Sequence, residues 1–333
     1  MITIKEIAAL AGTSRGTVDR ALKGRPGVNP ETKERIERIC REHQYIPNRA
    51  GVMLGLSKKQ FRVGAVLPSL DNHLFDGIIR GFERAEEEFS DFGVRVELFE
   101  LGYSEAEQLA AIDRLAAGGM QALVISPVPG AALERRFRSL EEAGVGVVTL
   151  GTDLLPRKAH ISGGWERCGR AAGELCTLLA AGSGANVSVG AVGGSPAFAG
   201  NEERLQSFLE TVKGCSQVSV RRIVECEPDL EVTAEKIRKM LKNYPEISCL
   251  FVAPEAVPAL PAAIPARIAV VCVGESDEAE DALKLGKIRL TVSEQGEKQG
   301  ELAIRLVVDA CVNGRPVAEF HEIPAVIRNK YGY

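Results

Sequence analysis

The chain has 333 residues, is 45% hydrophobic and carries a net charge of −4, enough for one small domain plus one or two α/β domains. Its first 25 residues are amphipathic and basic rather than an export signal, and no apolar run approaches the roughly 20 residues that span a bilayer. Eight cysteines lie far apart with no CxxC or HxxxH among them, so they read as buried thiols of a reducing, cytoplasmic compartment and not as disulfides or a zinc site.

Charge is unevenly spread. Residues 1–60 hold 12 Lys and Arg against 6 Asp and Glu, while the remainder holds 29 against 39. A basic head on an acidic body points to a nucleic-acid partner at one end. In chain order, Thr3 followed by Glu6 is a capping box that starts a helix at Ile4. Ile4, Ile7, Ala8, Leu10 and Ala11 form its apolar stripe, and Gly12 ends it, since glycine accepts the left-handed conformation. Thr13 or Ser14 then caps a second helix over 15–22 with Val18, Ala21 and Leu22 turned inward. Two helices joined by so short a turn predict a helix-turn-helix. Asn29 as N-cap and Pro30 at the first helical position open a third helix, whose Ile36, Ile39 and Cys40 complete a small core with Tyr45 and Ile46.

The second helix exposes Arg15, Gly16, Thr17, Asp19 and Arg20. An arginine can donate bidentately to guanine O6 and N7 in the major groove, and Thr17 suits a phosphate or base edge. Arg25, Lys33, Arg35 and Arg49 are candidates for backbone phosphate. The run from Thr3 to Ala50, TIKEIAALAGTSRGTVDRALKGRPGVNPETKERIERICREHQYIPNRA, resembles the headpiece of the lac repressor/galactose repressor family of bacterial regulators. The resemblance implies DNA contacts from Thr3, Ser14, Arg15, Gly16, Thr17, Arg20, Asn29 and Arg49, with Arg15 and Arg20 carrying the base readout because Gly16 has no side chain. It departs at Asp19, where the family usually has serine. It also implies that residues 49–60 form a hinge that folds on the operator and wedges Leu54 into the minor groove. Gly51 stands where alanine is usual and should weaken that helix by about 1 kcal/mol.

From Phe61 onward apolar runs alternate with amphipathic stretches. Strands are predicted at 62–67, 94–99, 122–125 and 146–150, with helices at 75–89, 105–117 and 131–143 between them. The rhythm repeats with strands at 187–192, 218–224, 249–252 and 268–273 and helices at 202–212, 230–242 and 295–312. β-branched strands between helices predict parallel sheets covered on both faces, and two successive sheets predict two lobes with a site at the strand C-termini between them. Pro258, Pro261 and Pro265 break what would otherwise be a helix between two strands. The domain plan is therefore an all-α helix-turn-helix headpiece (1–48), a hinge (49–60) and an α/β two-lobed effector-binding and dimerisation body (61–333).

The body resembles the periplasmic sugar-binding-protein fold of the same family, which implies three crossings between the lobes and a cleft lined just after the strands. Carried over residue by residue, the effector contacts fall on Asn72, His73, Phe75, Asp153, Trp165, Arg204, Glu255, Asp277 and Glu294. Asp153, Arg204 and Asn72 would hold hydroxyls beside a Trp165 plate. Arg204 and Asp153 keep the family's usual identities. Gly164 and Trp165 replace aspartate or asparagine, Pro254-Glu255 replaces asparagine-aspartate, Ser276 replaces aspartate and Glu294 replaces glutamine. These replacements point away from an ordinary hexose.

Enzymatic activity finds little support. The GAVGGSP stretch lacks both G-x-G-x-x-G and the lysine-ending phosphate loop, no G-x-S-x-G occurs, and the histidines at 43, 73, 160 and 321 form no local constellation. The expectation is a homodimeric regulator of palindromic double-stranded DNA, probed by a small polar metabolite such as a sugar or polyol, with no cofactor and no metal. The alternative is a solute binder or dimerisation module without effector-controlled DNA binding.

Overall fold

A computed structural model describes residues 3–22, 27–43, 60–68, 73–195, 198–260, 264–265 and 267–332. The capping box forms as expected: the Thr3 amide donates to Glu6 Oε2 at 2.8 Å and the Glu6 amide to Thr3 Oγ1 at 3.3 Å. It opens α1 (Ile4–Leu10). Gly12 takes a φ of +61°, which turns the chain. Ser14, not Thr13, caps α2 (Arg15–Leu22), its hydroxyl accepting from the Thr17 amide at 3.1 Å. Asn29 Oδ1 accepts from the Glu31 amide at 2.9 Å and starts α3 (Pro30–Glu42). Ile7, Ala8, Ala11, Val18, Ala21, Ile36 and Ile39 form the shared core, with Cys40 packed against it. Leu10 and Leu22 correct the expected stripes. Each is the last residue of its helix, where no further turn covers it, and they stand 56% and 37% exposed.

The body is two six-stranded sheets. In the first, β1 (Phe61–Pro68), β2 (Val94–Leu101), β3 (Ala122–Ile125), β4 (Gly146–Gly151), β5 (Ala159–Ser162) and β11 (Phe320–Glu322) lie in the order β11-β5-β4-β3-β1-β2. In the second, β6 (Val187–Gly193), β7 (Val218–Glu225), β8 (Cys249–Val252), β9 (Ala269–Val273), β10 (Leu290–Ser293) and β12 (Val326–Arg328) lie in the order β12-β10-β9-β8-β6-β7. Every pairing is parallel except β10 with β12. Alternate residues of the central strands feed opposite cores: Val63, Ala65 and Leu67 one, Val66, Leu123 and Ile125 the other. A sheet buried on both faces needs such continuous apolar runs.

Helices α4 (His73–Glu88), α5 (Glu105–Ala117) and α6 (Ala131–Glu142) cover the first sheet, and α7 (Trp165–Ser183), α8 (Ala199–Lys213), α9 (Leu230–Asn243) and α10 (Asp277–Lys284) the second. The chain crosses between sheets three times: after β5, after β10 and between β11 and β12. The second crossing sends α11 (Gly296–Val307) back onto α4. Glycines make that contact close. A Cβ on Gly81 would sit 2.2 Å from the Glu297 carbonyl oxygen, and one on Gly300 would sit 2.1 Å from that of Ile78. The expected helix over 295–312 thus stops at Val307 and continues as a π-turn, Val308–Val312. Strands β5, β10, β11 and β12 and helices α7 and α10 were not anticipated. Of the proline-broken segment, Pro254–Ala259 folds as a 3₁₀ turn that contains Pro258, while Pro261 lies outside the described residues.

The eight cysteines are free thiols; Cys168, Cys176, Cys249 and Cys272 are buried and the other four half-buried. Among the described residues, no helix is long and apolar enough to cross a membrane.

Candidate functional site

In the headpiece, α2 presents Arg15, Gly16 and Arg20 to solvent, with Ser14 exposed and Thr17 and Asp19 half-buried at the edge. The Arg20 Nε donates to the Gly16 carbonyl at 3.1 Å and Ser14 Oγ lies 2.9 Å from Thr17 Oγ1. One helical face therefore offers two guanidiniums beside two hydroxyls. Thr3 and Asn29 sit at the N-termini of α1 and α3, where both serve as caps. Arg49, Leu54 and nearly all of the expected hinge, like Asn72, lie outside the described residues, as does the side chain of His73.

In the body, Arg204, Glu255 and Glu294 converge. α8 carries Arg204 one turn past its N-terminus, the 3₁₀ turn after β8 carries Glu255, and Glu294 follows β10 directly. Arg204 Nε donates to Glu294 Oε1 at 2.5 Å and Nη1 to Asn201 Oδ1 at 2.6 Å. Asn201 Nδ2 in turn reaches the Ser195 carbonyl at 3.0 Å and Glu255 Oε1 at 3.5 Å. Arg204 and Glu294 are 2% and 1% exposed. Burial pushes the Glu294 carboxyl up to about 7 despite the pull of Arg204, and Glu275 and Glu255 push the same way. Burial also works against the Arg204 charge, but Glu294 and Glu255 outweigh it and raise its pKa.

Trp165 stands at the first crossing, 5% exposed. Its ring meets Phe198 edge-on at 5.1 Å, and Phe198 meets Phe75 of α4 edge-on at 5.8 Å, so the lobes touch through this aromatic chain. Three glycines make room for the indole: a Cβ on Gly151, Gly163 or Gly200 would lie 2.7, 2.4 or 2.6 Å from it. Six buried polar atoms find no hydrogen-bond partner among the described residues; Arg136 Nε and Glu297 Oε1 lie elsewhere, and the other four, Trp165 Nε1, Arg204 Nη2, Glu255 Oε2 and Glu294 Oε2, belong to this neighbourhood. Buried polar groups are almost always paired, so four in one neighbourhood single it out as the candidate ligand site.

Two expected effector residues join other groups. Asp153 accepts from Arg157 Nε at 2.7 Å and Nη2 at 2.9 Å, and lies 3.7 Å from His160 Nδ1. Arg157 holds its carboxyl below the usual range. Asp277 is exposed at the first position of α10, in a groove of about 560 Å³ shared with Arg80, Arg84 and Arg328. Sequence reasoning missed Asn201 and Phe198. Asn201 precedes Arg204 by three residues on a helix and so shares its face, a spacing that was readable. Phe198 had no such signal.

Residues 63–315 match the periplasmic binding protein domain family, and residues 3–48 match the bacterial regulatory proteins of the lacI family. The HTH-type transcriptional regulator IdnR of Escherichia coli K12 is 29% identical over 178 residues, 54% of this chain and 52% of its own length. The chain thus spans about half the length of that relative. HTH-type transcriptional regulator CelR of Thermobifida fusca is 28% identical over 336 residues, 92% of this chain and 91% of its own. A periplasmic solute binding protein of Actinobacillus succinogenes 130z, solved with bound D-allose, shares the fold with a TM-score of 0.70 at 18% identity, covering 82% of this chain and 99% of that one. With a matching headpiece and a matching two-lobed body on one polypeptide, the chain belongs to the lacI family of bacterial regulatory proteins, its body a periplasmic binding protein domain.

Proposed function

We propose that this regulator binds a palindromic operator as a homodimer and represses transcription, and that a small polar metabolite held between the lobes loosens its grip on DNA. The observation that carries the reading is the group of four buried polar atoms around Trp165, Arg204, Glu255 and Glu294 that have no hydrogen-bond partner among the described residues. Two donors and two acceptors within a shell of aromatic and charged groups suit a polyhydroxylated ligand. D-allose bound to a protein of the same fold supports that class of ligand. The exposed Arg15 and Arg20 on α2 support base readout in the major groove. An operator-bound dimer blocks polymerase by its bulk, which makes repression the simpler sign. The body acts as a binder rather than a catalyst.

The test is to titrate operator-bound protein with sugars, polyols, sugar acids and phosphosugars while following DNA release, with calorimetry on the free protein in parallel. Release by one compound, at a concentration matching its calorimetric affinity, is the expected result. If no compound binds and none alters DNA affinity, the body is a dimerisation module and the effector reading fails.

A further inference from the structure

The Arg204 neighbourhood is unbalanced in charge. Two carboxylates, Glu255 and Glu294, face one guanidinium, that of Arg204. Glu275, which ties Ser293 Oγ and the Gly296 amide at the start of α11, adds a further negative field; Arg328 lies 3.9 Å from it. The thiols of Cys168 and Cys272 lie within the same field and are held neutral by burial. Such a surplus of negative charge is costly in a site removed from water unless a cation or a proton cancels it. Among the described residues, Glu255 Oε2 and Glu294 Oε2 find no donor, and Trp165 Nε1 and Arg204 Nη2 find no acceptor.

We infer that the cleft takes a small polyhydroxylated amine, an amino sugar or amino polyol, rather than a neutral sugar or a sugar acid. The inference rests on the effector reading above and narrows it to a ligand class. An ammonium supplies up to three donors to the two carboxylates and removes the surplus charge. Hydroxyl oxygens on the same ligand accept from the indole and the guanidinium. A neutral hexose satisfies the hydrogen bonds but leaves the charge. A sugar acid or phosphosugar brings another anion beside Glu255 and Glu294. Below about pH 7 Glu294 holds a proton whose place an ammonium takes, so binding there releases up to one proton, and less as pH rises.

The experiment is calorimetric titration of the full-length protein with glucosamine, galactosamine, mannosamine and 1-amino-1-deoxysorbitol, each beside its neutral parent and the corresponding sugar acid. Running it in two buffers of different ionisation enthalpy reads the proton release. At least one amine is expected to bind about tenfold or more tighter than its neutral parent, with protons released. Glu255→Gln, at a half-buried position that keeps its shape, should reduce that preference about tenfold; Glu294→Gln should reduce it and abolish the proton release. A neutral sugar or sugar acid that binds tighter than its amine overturns the inference and leaves the effector reading standing. Should nothing in the panel bind or release operator DNA, both fall.

Discussion

Arg204 and Glu294 form an ion pair removed from water, 2% and 1% exposed. In such a pair the desolvation cost rivals the attraction, and deleting one partner strands the other. Arg204→Ala is therefore expected to destabilise the body by about 3–5 kcal/mol in urea unfolding and to abolish effector response. The double replacement Arg204→Met with Glu294→Leu should recover most of that stability and still give no response, which separates the fold from the site. Glu294 also fixes a pH dependence. Its folded carboxyl is raised from 4.5 to about 7, so the native state holds a proton that the unfolded chain gives up. Its contribution is fully present below pH 4.5 and is lost as pH rises through about 7. Urea midpoints should fall across that window in the wild type, and Glu294→Gln should remove that part of the fall. At the DNA face, Arg15→Ala is expected to cost about 1–3 kcal/mol on the preferred operator and less on scrambled DNA, measured by competition binding at fixed salt.

Glycines separate the elements that tolerate change from those that do not. On α2, the atoms nearest a Cβ on Gly16 are 3.8 and 3.9 Å away. Gly16→Ala should raise headpiece stability by about 0.5–1 kcal/mol, read from thermal unfolding. In the α4–α11 contact a Cβ on Gly300 meets a backbone oxygen at 2.1 Å. Gly300→Ala should destabilise the body by about 1–3 kcal/mol or more in urea, since the helices must separate. The same elements show what a sequence can disclose. Capping residues, period-3.6 stripes and β-branched runs are local signals, so the headpiece helices and the long central strands were readable. Strands β5 (AHIS), β10 (LTVS), β11 (FHE) and β12 (VIR) are short and interrupted by polar residues, whereas the equally short β3 (ALVI) and β8 (CLFV) are wholly apolar and so declare themselves. α7 opens at Trp165 behind Gly163 and Gly164, and the glycines masked its start. At the site, Arg204, Trp165, Glu255 and Glu294 came from resemblance and do converge, and Phe75 joins them through Phe198. Asp153 instead pairs with Arg157, four residues on, a neighbour whose claim no motif weighed.

At the scale of the whole molecule, a ligand shifts DNA binding only by its difference in affinity between two body conformations. The aromatic chain Phe75–Phe198–Trp165 spans the lobes next to the polar site, so occupancy there bears directly on how the lobes meet. A coupling of about 3–5 kcal/mol would change operator affinity by roughly 10²–10⁴. Two linked heads are needed for operator-level affinity, because one α2 reads few bases and the second head then binds at high effective concentration. The outward face of α4 carries Asp76, Arg80, Glu83, Arg84 and Glu87, while its inner face is spent on α11. A dimer that uses α4 would therefore be polar and weakened by salt. Sedimentation at micromolar protein is expected to give a dimer, and a palindromic operator should be bound about 10²–10⁴-fold tighter than a single half-site. A monomer with and without operator would refute the dimer. Equal affinity for half-site and palindrome would show that the heads act singly, whatever the body does in solution.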